Sequence, residues 1–178
     1  FEDICDHSRV SELLTVDYSE GVCQPLAYKC DNYSSFSKGF CSSCENNGCR
    51  PFGLSIQTNV NKTILTSEVA DKGYYLKTSG ESPYCEHHYQ IVGECNTGVN
   101  CEGIMIYIMG KTSNSSHEWF SAKLTKMNDN IYTGLLTINS KKFADPFKAT
   151  FAFSTINISR QFKQIEVKYM SNANIEVR

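Results

Sequence analysis

No apolar run in these 178 residues approaches the roughly 20 that cross a bilayer as a helix. No charge of one sign predominates either. A net charge of −2 gives no electrostatic footing for nucleic acid or for a polybasic membrane anchor, so no nucleic-acid partner is expected. An initiating Met is missing, and the opening Phe1-Glu2-Asp3 is no signal peptide. The chain is expected to be a processed product or a piece of a longer one.

Cysteine, by contrast, is plentiful. Nine residues (Cys5, Cys23, Cys30, Cys41, Cys44, Cys49, Cys85, Cys95 and Cys101) are many for a reducing compartment. A zinc knuckle at Cys41-Ser42-Ser43-Cys44 and Cys49 lacks a nearby histidine to complete its ligand set, so disulfides are the expectation. Four N-glycosylation sequons, at Asn32, Asn61, Asn114 and Asn157, point the same way. The chain is read as secreted and extracellular. The odd count leaves at least one thiol free or joined to a cysteine elsewhere.

Along residues 8–19, Val10, Leu13, Leu14 and Tyr18 share one face of a predicted amphipathic helix that Gly21 ends. His7 therefore sits where the chain enters a helix. Residues 21–53 are rich in Ser, Asn, Gly and Cys and read as loop held by covalent staples. Gly73–Thr78 reads as a short strand, and Ser79–Pro83 as a turn and domain boundary.

Past that boundary the hydrophobic period falls to two. Ile104, Ile106 and Ile108 alternate with Met105, Tyr107 and Met109, which predicts a strand buried on both faces. Phe120, Ala122 and Leu124 form one face of a second run, and Tyr132, Leu136 and Ile138 one face of a third. Phe147, Ala149, Phe151 and Phe153, then Ile165, Val167 and Tyr169, complete the series with the run His88–Val92. Six or seven turn-separated strands without a helical pattern predict an antiparallel β-sandwich. The chain is thus mainly β.

The order of these features resembles the pancreatic-lipase family. Ile4-Cys5-Asp6-His7-Ser8-Arg9 leads into a helix, then come Cys23, Ala27-Tyr28-Lys29-Cys30-Asp31-Asn32-Tyr33, Lys38-Gly39-Phe40-Cys41-Ser42-Ser43-Cys44 and Gly48-Cys49. Tyr74–Thr78 and Glu81–Tyr89 fit its crossing into a C-terminal sandwich. Within the family the phospholipase A1 branch is most similar. The resemblance implies residues 1–81 as the C-terminal part of an α/β-hydrolase lipase domain and 82–178 as a PLAT-like β-sandwich.

It also implies His7 as general base of a Ser-Asp-His triad, although a lone histidine ordinarily caps a helix or lies on the surface. In α/β-hydrolases the serine and aspartate precede the histidine, so both are expected upstream. Gly53-Leu54-Ser55-Ile56-Gln57 lacks the second glycine of a nucleophile elbow and reads as loop. The family's pairing implies Cys30–Cys41 and Cys44–Cys49. Cys95–Cys101 suits a hairpin tip, and Cys23–Cys85 follows by elimination. Cys5 corresponds to the lid-loop cysteine whose partner lies upstream, which predicts an interchain disulfide to an upstream catalytic chain.

The expected activity is hydrolysis of sn-1 carboxylic esters of lipids at a membrane or lipid interface, only together with that upstream chain and with no cofactor or metal in this one. The alternative is a non-catalytic, lipase-derived module that binds lipid or a protein partner. Trp119 and Phe120 are candidates for lipid contact. Since Trp is usually largely buried, the expectation is that Phe120 joins the core and Trp119 caps the sandwich edge. His87 and His88, adjacent in a strand, point to opposite faces and cannot chelate one metal; one is expected to pack and one to be solvated. His117 is expected to face solvent.

Overall fold

A computed structural model describes residues 11–13, 25–52, 73–82, 84–111, 116–139, 151–153 and 158–170, with 151–153 and 158–159 as backbone only. Residues 11–13 are helical, within the stretch whose spacing predicts a helix.

The stapled region is more regular than its composition suggests. Leu26–Cys30 forms strand β1, the centre of a three-stranded antiparallel sheet with β2 (Cys49–Pro51) and β3 (Gly73–Tyr75) on either side. A short helix follows β1 at Tyr33–Ser37, its first turn capped by Asn32, whose Oδ1 accepts the Ser35 N–H at 2.8 Å. The loop expectation for 21–53 is therefore corrected at Leu26–Cys30, Tyr33–Ser37 and Cys49–Pro51, while 38–44 is stapled loop as expected. Ala27, Tyr28 and Cys30 are buried, so this short segment has an apolar face, and sheet pairing satisfies its backbone.

The remaining strands build two facing antiparallel sheets. One has the order β10-β4-β8-β7, from Phe162–Tyr169, Glu86–Cys95, Ile131–Asn139 and Thr125–Asn128. The other has the order β6-β5-β9, from His117–Lys123, Met105–Lys111 and Phe151–Phe153. Between them lie Tyr89, Ile91, Ile106, Ile108, Leu124, Leu136, Ile138 and Val167, with Phe120, Ile165 and Tyr169 packed at the margin. The period-two runs thus place their branched and aromatic positions in one shared core.

A second cluster sits on the opposite face of the β4–β8 sheet. Tyr28, Cys30 and Phe36 of the stapled segment pack there against Leu135 and Met170. Leu135 and Leu136, adjacent in β8, accordingly serve different cores. Gly39, at φ +76°, makes the close approach possible: a Cβ there would lie 2.9 Å from the Gly134 carbonyl oxygen. Among the described residues no helix is long and apolar enough to cross a membrane.

Candidate functional site

His7, the general base implied by the motif, lies outside the described residues, as do Cys5, Cys23, Asn61, Asn114 and Asn157. What the structure describes is the scaffold beside them. On the helical turn just past His7, the Glu12 carboxylate accepts a hydrogen bond from the Tyr84 hydroxyl, which links that turn to the entrance of β4. Asn32 is exposed, its Oδ1 engaged in the helix cap.

Disulfides join Cys30 to Cys41, Cys44 to Cys49 and Cys95 to Cys101, and Cys85 is also disulfide-bonded. The first two staple the loops flanking the short helix. In the chain-entropy model the Cys30–Cys41 bridge, at a sequence separation of 11, contributes about 3 kcal/mol and the shorter Cys44–Cys49 loop about 2.

Around Phe36 the stapled segment locks onto the sandwich. Its ring stacks near Tyr28 and Tyr75 and tilts against His88, with centroids 6.1, 6.3 and 5.9 Å away. Hydrogen bonds at the edge cross the junction. Gln90 Nε2 donates to the Gly39 carbonyl at 2.7 Å, the Thr133 hydroxyl donates to the Lys38 carbonyl at 2.9 Å, and the Tyr28 hydroxyl donates to the Met170 carbonyl. Desolvation raises the Tyr28 hydroxyl pKa far above its usual value, with Tyr169 adding to the shift, so the phenol stays a donor.

Both histidines of β4 are buried, which corrects the expectation that one is solvated. They do point to opposite faces. His87 turns toward the sandwich, where its Nδ1 lies 3.2 Å from the Tyr169 hydroxyl, while His88 turns toward the stapled segment. Burial pushes the Tyr169 phenol up to about 12. Burial, then the nearby Lys77 and His87 charges, pull His88 down to about 4 against a backbone hydrogen bond at Glu86. Neither histidine has the setting of a hydrolytic base. His117 is exposed.

Among the described residues no group of three His, Cys, Asp or Glu side chains can hold a metal ion. A groove of about 420 Å³ at one end of the sandwich is lined by Val99, Asn100, Glu102, Lys126, Asp129 and Tyr132 among others. Two bonds run between its lining residues: Asn100 Oδ1 accepts from the Tyr132 hydroxyl at 3.2 Å, and Glu102 accepts the Lys126 backbone N–H at 2.6 Å. It holds no nucleophile paired with a base.

Two aromatic expectations divide. Phe120 packs against the core, but Trp119 does not cap the edge; it stands outward from β6 and is 57% exposed. Its neighbours on β5 overturn the expectation of a strand buried on both faces. Ile106 and Ile108 are fully buried, whereas Tyr107 is 48% exposed and Met105 38%. The identity of the alternating residues carries a signal here: every second position is Ile, and the intervening ones are Met and Tyr, which tolerate a wet edge.

The sequence profile of the lipase family matches residues 3–84. Phospholipase A1 member A of Bos taurus is 38% identical over 88 residues, 48% of this chain and 18% of that protein; the Homo sapiens protein is 36% identical over the same spans. Lipoprotein lipase of Rattus norvegicus is 29% identical over 117 residues, 64% of this chain and 23% of that enzyme. The chain therefore spans less than a quarter of the length of these curated relatives.

Proposed function

We propose that this chain, similar through residues 3–84 to the lipase family and to phospholipase A1, is the C-terminal part of a secreted lipase or phospholipase A1 that hydrolyses sn-1 carboxylic esters of lipids. The observation that carries this reading is the Cys5-Asp6-His7 motif ahead of a predicted helix, within the stretch similar to these hydrolases. The sandwich of residues 82–178 takes the place of a PLAT-like domain.

In this reading His7 accepts the proton of a serine hydroxyl as the oxygen attacks the ester carbonyl. The resulting imidazolium returns that proton to the leaving alcohol, and a carboxylate partner holds the ring in the productive tautomer. Water then repeats the sequence on the acyl-enzyme. Serine, carboxylate and oxyanion donors come from an upstream part, which Cys5 tethers through a disulfide.

The stapled segment supports the idea that the sandwich is positioned rigidly relative to that machinery. Phe36, Gln90 and Thr133 join the two through ring contact and hydrogen bonds. Mass spectrometry of native material, before and after reduction, tests the reading. A second polypeptide released from Cys5, carrying a serine elbow, is the expected result. Cys5 alkylatable without reduction, with no companion and no esterase activity, would instead favour the binding module.

A further inference from the structure

Tyr84 holds a backbone conformation that suits few residues. Its φ is +61°, and among the described residues the other positive values outside glycine belong to Asn46 and Asn47, a residue type that tolerates the left-handed region. A bulky aromatic there is an outlier, and it persists only where its surroundings over-determine it. Here they do so on both sides. The Tyr84 N–H donates to the Glu81 carbonyl at 2.8 Å, and the Tyr84 carbonyl accepts the Ser79 N–H at 3.0 Å. The Ser79 hydroxyl donates to the Glu81 carbonyl at 2.9 Å, while Cys85 is fully buried, disulfide-bonded and bridged to Thr78.

The clamped turn aims one side chain. Tyr84 is buried, and its hydroxyl reaches the carboxylate of the exposed Glu12 far back in the chain. A bond from a hydroxyl to a charged carboxylate is stronger than one between neutral groups. We propose that Tyr84 is a positioning residue for the hydrolysis. Through Glu12 it fixes the helix that the sequence predicts directly after His7, and so sets where that imidazole stands relative to the serine. Glu12 follows His7 by five residues, about a turn and a half of helix. Misplacing a reacting group by an ångström can cost about a hundredfold in rate.

This role rests on the esterase reading above, and the test separates the two. Hydrolysis of a water-soluble short-chain ester by the native protein, expressed whole, is compared across variants. Turnover is counted per site labelled by a phosphonate ester, so that unfolded molecules drop out. Tyr84→Phe, which keeps the ring and removes the hydroxyl, should lower kcat about tenfold or more with KM unchanged. Glu12→Ala should match it, and the double variant should be no worse than either alone. Glu12→Gln keeps an acceptor and should stay near the parent. Because Glu12 is exposed, Glu12→Ala reads the same bond should Tyr84→Phe not fold. Phe36→Ala weakens the junction at other residues and should keep the parental kcat per labelled site.

Parental kcat in Tyr84→Phe and Glu12→Ala, a loss confined to KM, or additive losses in the double variant overturn the positioning role. So does a Glu12→Gln variant no better than Glu12→Ala, or an equal loss in Phe36→Ala. If turnover is still abolished by His7→Ala, these outcomes remove the role alone. No hydrolysis by the parent, or turnover indifferent to His7→Ala, removes the esterase reading and this role with it.

Discussion

His88 Nε2 accepts a hydrogen bond at 3.0 Å from the backbone N–H of Lys77, the residue that leads from the small sheet toward the sandwich. A neutral ring is required for that bond, and the surroundings enforce it: Tyr28 and Phe36 press on the imidazole, and burial holds its pKa near 4. The junction between the two parts of the chain is therefore sensitive to acid.

A folded pKa below the ordinary 6.5 means that the unfolded chain binds the proton more readily. The stability that His88 contributes is complete above pH 6.5 and is lost as pH falls through about 4. The full loss is on the order of 3 kcal/mol. Urea denaturation at pH 8, 6, 5 and 4 should show this decline. His88→Gln, which keeps an acceptor for Lys77 but cannot titrate, should flatten it; an undiminished slope in that variant would place the acid sensitivity elsewhere.

Phe36 is fully buried at the same junction, in contact with rings from β1, β3 and β4. Phe36→Ala should cost about 3–5 kcal/mol through lost burial and the cavity left behind. A change in denaturation midpoint of under about 1 kcal/mol equivalent would mean that the segment is not anchored there.

Gly39→Ala adds a methyl 2.9 Å from the Gly134 carbonyl oxygen, at a φ of +76° that L side chains rarely adopt. Destabilisation of roughly 1–3 kcal/mol is expected. Gly80→Ala, where a Cβ meets nothing within 4 Å, provides the contrast and should lie within about 0.5 kcal/mol of the parent. Equal midpoints for the two variants would contradict the close approach.

If the proposed reading holds, His7→Ala should lower ester hydrolysis by the native protein by roughly 10⁴-fold or more, with an unchanged melting temperature. Retained turnover would take His7 out of the chemistry.

Much of this was legible in the chain. Alternation of apolar and polar residues over β6 and β10, and a period-two set of branched and aromatic residues over β5 and β8, specify strands whose Ile106, Ala122, Leu136 and Val167 face a common core, because the pleat repeats every two residues. The dense cysteines indicate covalent staples, and Cys30–Cys41, Cys44–Cys49 and Cys95–Cys101 form them. Strand β1 and its following helix were harder to see: each has only five residues, and both rely on staples and on a neighbouring layer.

Which second faces are covered was decided only by the tertiary structure. Period two identifies one buried face of a strand; burial of the other depends on whether a distant segment lies over it. Residues of β1 and its helix cross more than fifty positions of sequence to seal the outside of β4, and His88 is buried beneath them, while His87 is buried toward the sandwich. Over β5 the outward Met105 and Tyr107 remain exposed beside Trp119 of β6, and an apolar run becomes a surface instead of a core.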